Sequence, residues 1–235
     1  MHRVVARLLL LALAAAACGG SSGQSTPPPI VVSGSTLDYF SSTALSGATI
    51  ATVGLTPAIV TTSGVGGAYS LSGVSSGSTF LARLTATNYR ATNDEPIAVT
   101  TTSRTIDLHA VSIADANRQY AGLGMTPTAG RAVVIVDLVG TNGALVGIPA
   151  ASILLVDTAG TPAPGISGPF FFGAAGDLVD NATLANSTDF GGRARAGFLD
   201  VPTGAWEVRV SHGTTDIMPF TASSDGAHLL RTRAR

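Results

Sequence analysis

The feature that most constrains this chain is a repeated strand-and-turn unit. Gly47–Gly77, GATIATVGLTPAIVTTSGVGGAYSLSGVSSG, reads as a strand, a loop, a Gly-Gly turn, a second strand and a closing Val-Ser-Ser-Gly turn. A looser copy runs from Ala150 to Gly204. Ala150–Val156 echoes Gly47–Val53, Thr188–Leu199 echoes Thr62–Leu71, and Val201-Pro-Thr-Gly204 echoes Val74-Ser-Ser-Gly77. Self-similarity at this spacing makes the unit the element of construction, with about two dozen extra residues in the second copy. Most of them fall at 158–187, where Pro162, Pro164, Pro169 and several glycines surround Phe170, Phe171 and Phe172. That composition predicts a long loop, and long loops in compact domains are often functional.

The pattern around the repeat is one of short strands. The chain has 28 glycines and 12 prolines in 235 residues and only 11% charged side chains, a composition that favours strands and turns over helices. Ile30–Thr36, Gly47–Val53, Ala58–Thr62 and Ala68–Ser72 read as strands. Ser78–Ala86 alternates, with Phe80, Ala82, Leu84 and Ala86 on one face and Arg83 and Thr85 on the other. Pro96 opens Ile97–Thr100, and Thr105–Ala110 closes the run. Residues 112–130 break the pattern: Ser112 followed by Asp115 predicts a capped helix over Ile113–Ala121, a connector ended by Gly122 or Gly124 and Pro127. Strands resume at Ala132–Val139, apolar on both faces as in a buried strand. Tyr69 and Trp206 fall on inward faces and are expected to pack in cores. The predicted fold is all-β, two small antiparallel β-sandwiches in tandem over 30–111 and 131–235.

Within the first sandwich the order of motifs carries a resemblance. Val32 and Gly34, Gly47–Ile50, Thr61–Leu71, Gly73-Val74 with Gly77, and Asn88-Tyr89 together resemble the carboxypeptidase regulatory-like domain, over Ile30–Val111. The resemblance implies a transthyretin-like, immunoglobulin-like sandwich. It also implies an alternative role as a carbohydrate-binding module, because that sandwich type is shared with starch-binding domains. Gly67 and Gly77 suit it physically, one permitting a tight turn and the other a positive φ.

The N-terminus gives an address. Residues 1–17, with Arg3 and Arg7 before an apolar core at Leu8–Leu13 and a run of alanines, have the form of a signal peptide. The apolar run is shorter than the roughly 20 residues a membrane span needs. Cys18, the one cysteine, follows directly and resembles the lipidated cysteine of bacterial lipoproteins, although Ala15 stands where that family usually has leucine. The resemblance implies cleavage before Cys18 and stable acyl anchoring. Gly19 rather than Asp after it implies the outer membrane of a Gram-negative cell. Residues 18–29 then form a Gly/Ser/Pro tether that holds the body off the membrane. The expected partners are the membrane, through the anchor, and an envelope protein or polysaccharide.

Several chemistries are excluded or weak. No lysine occurs, which removes Schiff-base chemistry, P-loop phosphate binding and Ser–Lys dyads. Without Arg3 and Arg7 the chain carries a net charge of about −3, far from the basic footprint of a nucleic-acid binder. Gly73–Gly77 and Gly19–Gly23 match the hydrolase pattern G-x-S-x-G, but neither has the strand-before, helix-after context. His109, His212 and His228 lie at no metal-ligand spacing and are expected on the surface. Asp177, Asp180 and Asp189 with Asn181 and Asn186 fit no EF-hand loop, so no metal or other cofactor is assigned. The reading is a non-enzymatic envelope module, structural or binding; Phe170, Phe171 and Phe172 either plug their loop onto the second sandwich core or form the candidate contact for a sugar or protein ligand.

Overall fold

A computed structural model describes residues 30–140, 143–144, 148–180, 189–190 and 193–232. The signal-like segment, Cys18 and the tether lie outside them, as do Asn181 and Asn186. The first half contains β1 (Ile30–Asp38), β2 (Thr49–Val53), β3 (Val60–Thr62), β4 (Ala68–Val74), β5 (Thr79–Thr85), β6 (Thr92–Ala98), β7 (Arg104–Thr105) and β8 (Leu108–Ala110). After α1 (Ile113–Gly122) come β9 (Ala132–Gly140), β10 (Gly143–Ala144), β11 (Ile153–Val156), β12 (Ser167–Phe172) and β13 (Leu178–Val179). The chain closes with β14 (Asp189–Phe190), β15 (Arg193–Val201), β16 (Gly204–His212), β17 (Thr214–Ala222) and β18 (Ala227–Arg231). The fold is all-β, with α1 and two short 3-10 turns the other elements among the described residues.

The repeat seen in the sequence is a repeat of strand pairing. β1 pairs antiparallel with β4 and parallel with β7 and β8. β9 likewise pairs antiparallel with β15 and parallel with β18. In the first copy β5 lies between β2 and β6, and in the second β16 lies between β11 and β17, all antiparallel. Most pairings are antiparallel, as expected of such sandwiches, and the parallel ones involve the closing strands β7, β8 and β18. The last strand of each copy returns beside the first after a long crossover, which leaves it parallel.

The two copies are also fused rather than placed end to end. β18 pairs with β9 on one side and with β6 on the other, so one sheet runs β13-β12-β15-β9-β18-β6-β5-β2-β3 across both copies. Alternation along its strands sends neighbouring side chains to opposite faces. On one face Phe80, Ala82 and Leu84 of β5 meet Val32 and Leu71 of the small β4-β1-β7 sheet, to which β8 is joined through β1. On the other face Val134 and Val136 of β9 meet Val208 and Val210 of the β11-β16-β17 sheet. The two small sheets thus cover opposite faces of the long one, staggered along it.

The predicted connector helix has a structural part in this arrangement. Ser112 caps it, its hydroxyl accepting from the Asp115 backbone N–H at 3.0 Å. Its buried residues Ala116 and Tyr120 pack with Val133, Ile135, Leu229 and Tyr39, a third core drawn from both copies. Gln119 donates to the Gly176 carbonyl and accepts from the Leu178 N–H, fastening β13 to the helix.

Residues 158–187 are not one long loop. β12 and β13 lie within them and extend the shared sheet, β12 pairing with both β13 and β15. A register shift between Ser167 and Phe170 puts Pro169 where the ladder is irregular, so its missing N–H is tolerated. Pro96 likewise lies inside β6 instead of opening a strand. β18 pairs with β6 only at Thr92 and Asn93, so no ladder on that side needs an N–H at Pro96. Gly67 has φ +75, and a Cβ there would lie 2.6 Å from the Thr36 carbonyl oxygen, so only glycine closes that turn.

Candidate functional site

Among the cavities that flank the seam where β18 joins the copies, two lie on opposite faces of the shared sheet. The first has about 470 Å³ and is lined by Asp94, Glu95, Asp107, His109, Asp137 and Arg231 among others. Its carboxylates are already engaged. Asp94 accepts from the backbone N–H groups of Glu95 and His109 at 2.9 Å each, and Asp107 accepts from that of Ser35 at 3.0 Å. Asp137 accepts from Arg195 Nε at 2.9 Å and from the Tyr39 hydroxyl at 3.3 Å, while the Arg195 guanidinium lies 4.9 Å over the Tyr39 ring. Glu95 faces Arg231 at 3.7 Å. Burial, then the nearby Asp94 charge, raises the pKa of Glu95 against the pull of Arg231. This cavity is a polar junction that ties Tyr39 of one copy to Asp137 and Arg195 of the other.

The second cavity, about 490 Å³, lies where β5 and β6 emerge from beneath the β16–β17 hairpin. Its size is in the usual range for ligand sites. One wall is apolar. Trp206 and Phe220 stand directly opposite each other across β16 and β17, with Pro219 beside them. The indole N–H donates to the Pro202 carbonyl at 2.8 Å, fixing the ring, which is half-buried with part left to the cleft. Facing it, set among the apolar side chains of Val53, Leu81 and Leu230, are three polar ones, Arg83, Asn93 and His228. His228 is 2% exposed and lies 5.1 Å from the Phe220 ring centroid. Its pKa is lowered to about 4, chiefly by burial and secondly by the charge of Arg83. Polar groups here are less completely engaged than in the first cavity: Asn93 Oδ1 and Ser223 Oγ are buried without a hydrogen-bond partner.

The residues expected from sequence fall into place differently. Phe171 and Phe172 are fully buried. Being consecutive on a strand, they enter different cores, Phe171 beneath the β11-β16-β17 sheet and Phe172 beneath α1. Only Phe170 is partly open to solvent, so the three rings form no exposed platform, which corrects the expectation of a ligand contact there. Trp206 packs against the core as expected but also forms the cleft wall. Tyr69 is buried, its hydroxyl donating to the Ile106 carbonyl at 2.7 Å.

The histidines separate. His212 is exposed beside the β16–β17 turn. His109 lines the first cavity with its Nδ1 3.9 Å from Asp94, and His228 is interior. Two of the three therefore depart from the expected surface position. Asp177 pairs with Arg118, and no metal-holding cluster occurs among the described residues. The cleft itself had one trace in the sequence, the only tryptophan of the chain on an alternating strand. What lay opposite it depended on the fusion of the copies.

No family profile and no curated protein matches the chain. Among solved structures it is similar to the Bacillus anthracis TIE protein, at 12% identity and TM-score 0.32, over 87% of this chain and 34% of that one. A streptococcal ancillary pilin gives 12% identity and TM-score 0.29, over 88% of this chain and 63% of that one. A candidate carbohydrate binding protein from Bacteroides uniformis gives 13% identity and TM-score 0.32, over 83% of this chain and all of that one. The chain thus spans about one third of the first of these structures and less than two thirds of the second.

Proposed function

We propose that this protein is a non-catalytic binding module of the cell envelope, held by lipid at Cys18, that takes a saccharide in the Trp206 cleft. The observation that carries the saccharide reading is the fixed, part-exposed indole facing three hydrogen-bonding side chains across a ligand-sized cleft. A sugar ring has an apolar face for the indole and hydroxyls for the opposite wall, which is the pairing of an aromatic anchor with a few placed polar groups typical of small-ligand sites. Lipid anchoring is supported by the small-residue run that ends at Cys18 and by the tether after it. Gly19, rather than Asp, after the cysteine supports the outer membrane of a Gram-negative cell as the address.

The test is a glycan array probed with the folded chain and with Trp206→Ala. Binding is expected for the native protein, and the variant, with unchanged circular dichroism, is expected to lose at least about tenfold in affinity, or ~1.4 kcal/mol. An array without signal, or binding indifferent to Trp206, removes the saccharide reading. The anchoring half is tested separately by metabolic labelling with a palmitate analogue. Cys18→Ser should abolish both the label and membrane fractionation, and retention of both would remove it.

A further inference from the structure

The polar side chains facing Trp206 across the cleft form a row on three adjacent strands. Arg83 on β5 stands opposite Asn93 on β6, and Asn93 stands opposite His228 on β18. Residues opposed across strands share a face, so the guanidinium, the carboxamide and the imidazole are presented together. Arg83 is half-buried and makes no hydrogen bond or ion pair among the described residues. Asp94 also borders the cleft, but both its oxygens accept backbone N–H groups, those of Glu95 and His109. Asp94 keeps its negative charge but has its acceptors taken by the backbone, so Arg83 is the charged group of the cleft left with hydrogen bonds to give.

The neighbouring groups reinforce this polarity. His228 Nε2 accepts from the Ser223 N–H at 3.4 Å, which leaves the proton of the neutral ring on Nδ1. Nδ1 lies 3.4 Å from the Asn93 carboxamide, whose amide nitrogen faces it while the buried oxygen has no partner. Turning the carboxamide over, an exchange of nearly identical shapes, gives Nδ1–H an acceptor and moves the NH₂ group to the place of the orphaned oxygen. The row then presents donors only.

We infer that the cleft selects an acidic saccharide, a chain containing uronic acid whose carboxylate pairs with Arg83 while a sugar ring lies on Trp206. This rests on the saccharide reading and adds the charge of the ligand to it. A half-buried guanidinium meeting a carboxylate forms a charge-assisted pair, stronger than the neutral hydrogen bond a hydroxyl would offer.

The experiment is calorimetric titration of the full chain with oligogalacturonate and with a neutral galactan oligomer of equal length, at low and high salt. The acidic oligomer is expected to bind at least about tenfold more tightly, to lose that advantage in Arg83→Gln, and to weaken with salt. Equal affinity for the two oligomers, or a preference that survives Arg83→Gln, overturns the inference while leaving the saccharide reading intact. Binding of neither overturns both. A ligand-free readout checks the geometry. Because the Arg83 charge depresses the His228 pKa, Arg83→Gln should raise the imidazole midpoint followed by NMR, and an unmoved midpoint would contradict the shared row.

Discussion

His228 is a titratable ring held neutral inside the wall of the candidate site, and that sets a pH signature. Its ordinary value is 6.5 and its folded value about 4. Above about 6.5 neither state binds the proton and the residue adds no pH dependence. Below it the unfolded chain takes up a proton that the folded chain refuses, so stability falls until about pH 4, where the loss reaches about 3 kcal/mol. Glu95 acts in the opposite sense, since its raised pKa lets the folded state bind a proton first as pH falls. Urea unfolding of the native protein and of His228→Phe, each at pH 7 and pH 4.5, separates the contributions. The native protein should lose more stability between the two pH values than the variant, and equal losses would contradict the burial account of His228. None of this was legible in the sequence. A histidine between two alanine- and leucine-rich neighbours reads as an ordinary strand residue until the strands on both sides of it are known.

At the scale of elements, legibility followed pattern strength. Phe80, Ala82 and Leu84 alternate, and they enter one core; Ala132–Val139 is apolar but for Asp137, and Ala132–Val136 with Leu138 are buried on both faces. Ser112 and Asp115 marked the start of α1 correctly because a cap is a local interaction. β12 was hidden because proline and glycine dominate its start, and the irregular register that accommodates Pro169 is set by β15, distant in sequence. The element is nonetheless part of the core. Phe171→Ala and Phe172→Ala should each cost about 3–5 kcal/mol, as for other fully buried phenylalanines, measured by urea denaturation. Rings on a surface loop would cost under about 1 kcal/mol; values that small would return 158–187 to the loop the composition suggested.

At the scale of the whole molecule, the repeat was visible but its consequence was not. Two copies of one pairing scheme suggested two independent sandwiches. β18, from the very end of the described chain, instead lies between β9 and β6, and a single sheet joins the copies. That fusion creates the cleft. It brings Arg83 and Asn93 of the first copy, with His228, opposite Trp206 and Phe220 of the second. Because Trp206 is the only tryptophan in the chain, its emission reports on this one place. The most direct test is therefore a titration of intrinsic tryptophan fluorescence with oligogalacturonate. A saturable change in Trp206 emission, absent in Arg83→Gln at the same concentrations, is the predicted result. A spectrum that stays constant through the titration, in a protein shown to be folded, would contradict a ligand in the cleft.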